Sequence, residues 1–506
     1  MLSQPSGRAA QQHVADGDAQ WARGQRDSAQ LHYQVAIARD SAVSTRALFR
    51  LAMLASDHNR LKTAAALLEV YMRLEPQDDE GRLALARTLA WDGRYQAAMA
   101  LYDDVLSRDS TYRDAEKGRA RVVAWRGDLA QSEQLWRRLV ARYPNDAEAW
   151  IGLAQVQRWS GRARGADSAM RRAIAIAPGS ADAWSQWAWV RAELAGASEP
   201  TVVRGTDSDG NRATSYAMTV LARAAGPLRL RFTGSHRDAE YQSLRGASSG
   251  AQASLRWSPP GRSLSLSAQA GATRLTSRAG SERAQARILG LVAFSGSGAI
   301  SSHVHLGATL SRTPFDETAT LIAGGIAISG IDTDLSVALP HRVALDAGLG
   351  GARVHGGRLP NARRSAVGSM RWTVRRGLSL SAAARGLAYD TTGRADGYFA
   401  PHRFALLEGG ARFVVGRDLG WGATLDGGLG RQSIRFSSSD PTSRHGAARG
   451  AVTLRYAPSP GYELEVAGGA STVASPFAQA AAVYSARWCS LRARLPIFRA
   501  APPQVP

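Results

Sequence analysis

The sequence predicts two kinds of structure in one chain: an α-solenoid of helical repeats, followed by an antiparallel transmembrane β-barrel. Over residues 1–196 the apolar residues recur with a helical period, and a longer unit of 34 residues is repeated. Over residues 201–498 apolar and polar residues alternate, which is typical of β-strands. Residues 499–506 are predicted to form a C-terminal tail.

The helical repeat is marked by small, aromatic and proline residues that recur at a step of 34 residues. These residues are Gly93, Gly127, Gly161, Trp91, Trp125, Trp159, Pro144 and Pro178. A unit of this length with Gly at its internal turn and Pro at its end is the tetratricopeptide repeat. We expect about five repeats, two of them weaker copies at the start, and a capping helix over 181–196. The Trp residues are predicted to pack between helices rather than to contact a ligand.

The β-region is predicted from strands in which every second residue is apolar. The clearest example is residues 263–273, where Ser, Gln or Thr alternates with Leu, Ala or Gly. Alternation of this kind places the apolar residues on one face of a strand. Two packed sheets could bury that face, and so could a barrel whose apolar face is turned toward lipid.

The spacing of the turns favours the barrel. Short turns are predicted near 225–227, 258–261, 296–298, 339–341, 375–377, 416–418 and 458–461. Longer polar or Gly-rich stretches are found near 207–213, 236–248, 276–283, 313–324, 356–364, 390–402, 435–446 and 472–478. Short turns at one end and long loops at the other are typical of outer-membrane barrels, in which the short turns are periplasmic. We therefore predict about sixteen strands, most of them long enough to cross a bilayer.

Composition limits the remaining possibilities. The sequence has no run of eighteen apolar residues, so a membrane-spanning helix is not expected. The start of the chain shows no apolar signal segment, and we expect the natural protein to begin upstream of it. Of the net charge of +21, about +3 falls in residues 1–200 and about +18 in the β-region, where every basic residue is Arg. This placement argues against nucleic acid as a partner.

The arginines of the β-region are the main candidate contacts for a transported polymer. If Leu228 and Leu230 face lipid, then Arg229 must face the lumen, because a charge at the bilayer midplane costs about 2–4 kcal/mol. The same parity assigns to the lumen Arg229, Arg231, Arg256, Arg371, Arg385 and Arg455. Such a lumen would favour polar or anionic polymers. Alternatively, the arginines pair with lumenal carboxylates and brace the wall.

Helical repeats followed by a barrel of this size resemble the exopolysaccharide export porins of the outer membrane. Residues 397–404 are similar to the Gly-Tyr-Phe-Ser-Pro-x-x-Tyr motif in the barrel of cellulose synthase operon protein C, with Ala400 in place of Ser and Phe404 in place of Tyr. The repeats with Ala-Trp-x-Gly also resemble the YaiO family. The resemblance implies a periplasmic repeat domain that engages synthase or periplasmic components, and a pore that passes a glycan chain.

The motif residues are Gly397, Tyr398, Phe399, Pro401 and Phe404. The segment precedes a strand in a long loop, so it is expected on the extracellular side. It could fold inward and offer Tyr398 and Phe399 as stacking platforms for sugar rings. It could instead have a structural role, in which Pro401 and the aromatic residues anchor the loop at the barrel rim.

The leading hypothesis is therefore an outer-membrane porin for exopolysaccharide, with lipid, the polymer chain and synthase components as partners. A membrane-anchored repeat scaffold without transport is the first alternative. A soluble β-rich enzyme that acts on glycans is the second, and the lack of a paired catalytic carboxylate set argues against it. No catalytic residues, metal site or cofactor are predicted.

Overall fold

The computed structural model describes residues 5–40, 42, 44–223, 227–259, 263–301, 303–357, 360–392, 397–474 and 484–497. The chain divides into two compact units, one of which extends to Trp187 while the other begins at Ala188. The first unit is built from helices, and the second is dominated by β-strands.

Helical pairs make up the first part of the chain. In the described residues before β1, eleven helices follow one another: α1 (Pro5–Ala22), α2 (Arg26–Arg39), α3 (Thr45–Asp57), α4 (Leu61–Leu74), α5 (Asp79–Trp91), α6 (Tyr95–Arg108), α7 (Arg113–Trp125), α8 (Leu129–Arg142), α9 (Ala147–Trp159), α10 (Ala163–Ile176) and α11 (Ala181–Leu194). They form five pairs of helices, each pair joined by a turn, and a final single helix. The predicted tetratricopeptide-repeat fold is confirmed.

The glycines that recur every 34 residues are required by the turn inside each pair. Gly93, Gly127 and Gly161 have φ values of +82°, +97° and +75°. This left-handed conformation costs an L-residue with a Cβ roughly 1–2 kcal/mol. Gly24 and Asn59 have the same conformation at the corresponding turns of the first two pairs. Asn tolerates this region better than most residues, which explains why the second repeat is harder to detect by its Gly.

A second 34-residue step places a large ring against a glycine of the following helix. Tyr102 on α6 and Trp136 on α8 are buried, and Trp136 is 0 % exposed. Gly118 and Gly152 face these two rings from α7 and α9, and a Cβ on Gly152 would lie 2.5 Å from the Trp136 ring. Close packing between successive helices therefore depends on a missing side chain.

The periodic Trp residues are less buried than we predicted. Trp91 is 51 % exposed and Trp159 is 43 % exposed, whereas Trp125 is half-buried against the core of α3–α7. Each is the last residue of the first helix of its pair, beside the glycine turn. The buried rings of Tyr102 and Trp136 lie instead within the second helix of their pairs.

The periodic prolines end the pairs, as the repeat pattern predicts. Pro144 follows α8 and Pro178 follows α10. Their carbonyl groups accept hydrogen bonds from the indole Nε1 of Trp150 (3.0 Å) and Trp184 (2.7 Å), respectively. Each indole therefore ties the start of one helix to the turn before it.

The second unit is a closed antiparallel barrel. In its described residues, sixteen strands occur in chain order: β1 (Ala197–Asp207), β2 (Arg212–Arg223), β3 (Leu228–Tyr241), β4 (Leu244–Trp257), β5 (Ser265–Ala279), β6 (Gln285–Ala299), β7 (Val304–Pro314), β8 (Ala327–Leu339), β9 (Val343–His355), β10 (Asn361–Arg375), β11 (Leu378–Tyr389), β12 (Arg403–Gly416), β13 (Gly420–Arg435), β14 (Ser443–Ala457), β15 (Glu463–Ser471) and β16 (Ala486–Pro496). Each strand pairs with its neighbours in sequence, and β1 pairs with β16. The predicted sixteen-strand barrel is confirmed.

The connections define the two ends of the barrel. At one end, here called the short-turn end, lie the connections from β2 to β3, β4 to β5 and so on to β14–β15. The other end, here called the long-loop end, carries the connections β1–β2, β3–β4 and so on to β15–β16. A helix, α12 (Ala319–Gly324), lies in the β7–β8 loop, and a 3-10 turn (Pro340–Arg342) joins β8 to β9.

Two turn predictions differ from the structure. The predicted loop at 236–248 is instead the paired ends of β3 and β4, which are joined by only Gln242 and Ser243. His236, Asp238 and Glu240 occupy the face that is apolar in the rest of β3, so the alternation that identified the other strands is interrupted here. The turn predicted at 296–298 lies after Ala299, because β6 continues through the Gly-Ser run.

No helix in the described residues is both long and apolar enough to cross a membrane.

Candidate conduit inside the barrel

The two faces of the barrel wall differ in chemistry. One face carries large apolar side chains that are widely exposed, among them Phe232 (48 %), Leu255 (42 %) and Leu454 (48 %). The opposite face is polar, and its side chains bond across strands. These bonds include Thr219–Thr233 (3.0 Å), Gln269–Gln252 (2.7 Å) and Ser267–Ser295 (2.6 Å).

The β7–β8 loop identifies the polar face as the interior. Leu321 and neighbouring loop residues pack with Val354 of β9 and Tyr389 of β11. The next residue, Ile322, packs with Ala239 of β3 and Leu275 of β5. A six-residue helix can touch strands on both sides of a closed barrel only from within it. The exposed apolar face is therefore the outer surface.

The six arginines predicted for the lumen lie on the interior face by this parity. Arg229 and Arg231 (β3), Arg256 (β4) and Arg371 (β10) lie in the half of the barrel at the short-turn end, and Arg385 (β11) lies nearer the middle. All five are exposed, and none forms an ion pair with another residue that the structure describes.

Arg455, the sixth, is half-buried and is held in place. Its guanidinium lies 3.5 Å from Glu463 and donates to the carbonyl of Asp418 (3.2 Å) and to that of Arg417. The geometry therefore separates the set: Arg455 braces the wall, whereas the other five leave positive charge on the interior surface.

Other interior arginines, which the sequence reasoning missed, also brace the wall. Arg492 contacts Glu463 (2.8 Å) and Glu465 (3.1 Å). Arg449 joins Glu408 (2.8 Å) to Asp426, which links β12, β13 and β14. Parity alone places these residues inside, but only the cross-strand register shows which of them meet a carboxylate.

The β7–β8 loop folds into the long-loop end of the lumen. Its helix α12 begins at Thr318, whose hydroxyl accepts from the Leu321 amide (3.3 Å), and it ends at Gly325 in the left-handed conformation. Gly246 of β4 leaves room for this helix, because a Cβ there would lie 3.1 Å from Ile322.

Asp316 fixes this loop to the opposite wall. Arg237 of β3 donates to the Asp316 carboxylate (3.1 Å) and to its carbonyl (2.8 Å), and Ser248 of β4 donates to the same carboxylate. The two partners lie 79 and 68 residues away in sequence. A half-buried, charge-assisted contact of this kind is stronger than a fully exposed one.

Glu317, next to it, has no such partner. Its Oε2 atom is buried and has no hydrogen-bond partner in the described residues. Burial raises the pKa of the Glu317 carboxyl to about 7; Arg237 opposes this rise and Asp316 adds to it. The carboxyl is thus held close to its titration point at neutral pH.

The segment at 397–404 lies at the same long-loop end of the lumen. Tyr398 and Phe399 are 3 % and 2 % exposed. The Tyr398 hydroxyl accepts from Asn361 Nδ2 (3.0 Å), and the Pro401 carbonyl accepts from the Tyr389 amide (3.1 Å). In this conformation both rings are packed, not presented to the lumen.

The motif's other residues join the two loops and the wall. Gly397 has φ +77° and lies against Thr320 of α12, where a Cβ would collide. The Phe399 ring packs edge-on against Phe404 (6.0 Å between centroids) and Phe436 (5.9 Å). The described parts of the β7–β8 and β11–β12 loops therefore form one packed body, here called the mouth body.

One group of possible metal ligands occurs in the described residues. His13, Asp16 and His32 of α1 and α2 bring their ligand atoms within 4.8 Å of one another. Tetrahedral ligands at 2.0–2.1 Å from Zn²⁺ are only about 3.4 Å apart, so the side chains would have to close in to bind it. Sequence reasoning missed this group, although His13 and Asp16 have the i, i+3 spacing of one helix face.

Comparison with known proteins supports the repeat fold. Residues 89–156 match the family described as Tetratricopeptide repeat. A search of curated proteins finds no match.

Three solved structures are similar in fold. A "Bacterial polysaccharide outer membrane secretin" aligns with a TM-score of 0.46 and 11 % identity over 60 % of this chain and 99 % of that chain. The MamA protein aligns with a TM-score of 0.30 and 17 % identity over 35 % of this chain and 96 % of that chain. YrrB, described as a TPR protein with an unusual peptide-binding site, aligns with a TM-score of 0.28 and 14 % identity over 35 % and 93 %.

Proposed function

We propose that this protein is an outer-membrane conduit for the export of a polysaccharide, and that its tetratricopeptide repeats recruit periplasmic or synthase partners. The observation that carries the proposal is the closed sixteen-strand barrel, with exposed apolar residues outside and uncompensated arginines inside. Apolar-out and polar-in alternation is the pattern of barrels that span an outer membrane.

The size of the barrel suits a polymer chain. Sixteen strands spaced about 4.8 Å apart and tilted about 40° give a backbone diameter of roughly 32 Å. Barrels of sixteen to eighteen strands leave an aqueous channel after side chains fill part of the interior. A hydrated glycan needs such a channel, because its hydroxyl groups cannot cross hydrocarbon without hydrogen-bond partners.

The interior chemistry suits a polar or anionic glycan. Arg229, Arg231 and Arg256 lie on neighbouring strands near the short-turn end, and Arg229 is directly opposite Arg256 in the register. A guanidinium donates forked hydrogen bonds to carboxylates and to sugar oxygens. Unpaired arginines at the entrance would also raise the local concentration of an anionic chain.

The mouth body must move for transport. It occupies the long-loop end, which is extracellular if the short turns are periplasmic as in other outer-membrane barrels. Export would then require two states, one with the β7–β8 loop packed inside and one with the loop displaced. With the short turns in the periplasm, the repeats that precede β1 also lie there, where their concave surface can bind a partner.

Planar-bilayer recording of the purified protein tests this proposal. We expect low conductance in the wild type and a clear increase when residues 316–325 are replaced by a Gly-Ser linker. Oligogalacturonate added from the short-turn side should block the opened channel at lower concentration than uncharged cello-oligosaccharides. Replacing Arg229, Arg231 and Arg256 by Ser should remove this difference.

The alternative, a membrane-anchored scaffold without transport, makes the opposite prediction. The observation in its favour is the mouth body itself, which fills part of the lumen. A barrel that stays closed to ions after the 316–325 replacement, while still inserted in the bilayer, would establish the scaffold and contradict the conduit.

A further inference from the structure

We propose that the outer surface of the barrel binds phosphate-bearing lipid head groups through a girdle of arginines at the long-loop end. This inference rests on the proposed membrane location of the barrel and not on export through it. It concerns the arginines that face away from the lumen, which the conduit does not use.

Strand parity identifies the girdle. The residues that share the outer face with Phe232, Leu255, Leu310 and Leu454 include thirteen arginines on eleven strands. The girdle arginines are Arg204, Arg212, Arg245, Arg274, Arg278, Arg312, Arg353, Arg364, Arg403, Arg431, Arg435, Arg444 and Arg487.

Every girdle arginine lies close to the long-loop end of its strand. Arg212 and Arg403 are the first residues of β2 and β12, Arg435 is the last of β13, and Arg274 is the farthest from that end, with five residues of β5 beyond it. Where inward and outward side chains alternate without interruption along the described strands, no outward arginine lies in the half at the short-turn end. The outward arginines are therefore confined to one end of the barrel. This distribution does not depend on what passes through the lumen.

Aromatic residues occupy the outer face at the opposite end. Trp257, Trp372, Phe413, Trp421 and Tyr456 lie there, and the ring centroids of Trp421 and Tyr456 are 4.7 Å apart. One outward aromatic residue, Tyr216 of β2, lies nearer the girdle. Aromatic rings of this kind mark the level of a membrane interface. The two ends of the outer surface therefore carry two different kinds of interfacial residue.

The spacing between these two belts matches a membrane. On β13, Trp421 and Arg431 are separated by ten residues. At about 3.3 Å per residue and a tilt of about 40°, this separation spans roughly 25 Å along the barrel axis, the height of the apolar band of an outer-membrane barrel. When the aromatic belt lies at one interface, the arginines lie at the head-group level of the other.

The girdle lacks counter-charges of its own. The outward acidic residues in the described strands are Asp238 and Glu240, both on β3. Glu240 lies 3.6 Å from Arg245, and Asp390, just beyond β11, lies 3.3 Å from Arg364. The other eleven arginines form no ion pair with a residue that the structure describes, so no described carboxylate balances their charge.

The charge is densest on β12–β14, where Arg403, Arg431, Arg435 and Arg444 form what is here called the β12–β14 patch. Arg403 is directly opposite Arg435 in the register, and no outward carboxylate lies on these three strands. Like charges on directly opposed residues destabilise a sheet. A phosphate between the two arginines attracts both of them, since each guanidinium can donate two parallel hydrogen bonds to it.

A lipid fits this surface better than other occupants do. The patch borders Leu407 (65 % exposed) and Leu429 (74 % exposed) on the same outer face, so a ligand that covers both needs an anionic head and an apolar tail. Inorganic phosphate would satisfy only the arginines, and a second copy of this barrel would bring arginines to arginines.

Native mass spectrometry of the full chain in detergent tests the proposal. The probes are diphosphoryl lipid A, the same lipid without phosphates, phosphatidylglycerol and inorganic phosphate. We expect retention of the two phosphate-bearing lipids and little retention of the dephosphorylated one. The triple variant Arg403→Gln, Arg435→Gln, Arg444→Gln should weaken lipid A binding at least tenfold.

The matched control removes three charges elsewhere: Arg138→Gln, Arg164→Gln and Arg172→Gln, all exposed on the repeats. It should bind lipid A as the wild type does. If the barrel triple variant does not fold, as judged by a heat-modifiable gel shift, Arg444→Gln alone replaces it, with a smaller loss expected.

Equal lipid A binding by the wild type and the folded patch variant would overturn the proposal, as would equal retention of the dephosphorylated lipid. Inorganic phosphate that competes at the same concentration as the lipid would show an anion site without lipid recognition, which also contradicts it. Because the readout is lipid retention, a failure of the conduit to conduct leaves this test unchanged.

Discussion

The equilibrium between the packed and the displaced β7–β8 loop should depend on pH through Glu317, and replacement of Glu317 by Gln should abolish this dependence. Its pKa of about 7 in the packed loop compares with an ordinary value of 4.5. This difference corresponds to about 3 kcal/mol, or roughly a hundred-fold change in the equilibrium between the packed and displaced loop.

The direction follows from which state holds the proton more tightly. Below about pH 4.5 the carboxyl is neutral in both states, and pH has no effect. As pH rises toward 7, the displaced loop loses its proton while the packed loop keeps it, so packing becomes less favourable. Above pH 7 the carboxyl is ionised in both states, and the stability of the packed loop falls no further. The packed state is therefore most stable in acid.

Single-channel recording between pH 4.5 and 8 measures this effect as the fraction of time the channel is open. We expect this fraction to rise with pH by up to roughly a hundred-fold in the wild type and to stay at its acid value in Glu317→Gln. Glu282→Gln, in the exposed β5–β6 connection, is the matched control and should keep the wild-type profile. A flat wild-type profile, or the same rise in Glu317→Gln, would refute the reasoning.

Two further variants test packing in each unit. Gly152→Ala places a Cβ 2.5 Å from the fully buried Trp136 ring, so we expect urea denaturation followed by helical circular dichroism to show a loss of about 1–3 kcal/mol. Gly179→Ala, with no atom within 4 Å of the new Cβ, should cost much less, and equal losses would contradict the packing argument. Tyr398→Phe removes the hydroxyl that accepts from Asn361, which should cost about 1 kcal/mol and raise the open fraction about fivefold at fixed pH; an unchanged open fraction would show that this bond does not hold the mouth body.

The repeat and the barrel could be predicted from the sequence because each has a periodic signal. The 34-residue step locates Gly93, Gly127 and Gly161, whose left-handed turns favour glycine. Alternation locates most strands and the side of the wall on which each arginine lies. It fails at 236–248, where polar residues occupy the face that is apolar in the rest of β3 and β4, although the backbone still pairs.

The details of the site depend on contacts that no local pattern encodes. The six residues of α12 are too few for a helical period, and their position is set by Arg237 and Ser248 on distant strands. The partners of Arg449 and Arg492 likewise depend on the cross-strand register. The burial of Tyr398 and Phe399 follows from packing against α12 and Asn361, neither of which is close to the motif in sequence.

The most direct test of the central claim is the environment of alternate residues along one strand. Cysteines placed singly at Val452, Thr453, Leu454 and Arg455 of β14, in a Cys489→Ser background, can be labelled in the membrane-inserted protein. Positions 452 and 454 should carry labels quenched by lipid-soluble quenchers, and positions 453 and 455 should react with water-soluble, charged thiol reagents. The same reactivity at all four positions, or the reverse order, would contradict a barrel with apolar residues toward lipid and a polar interior.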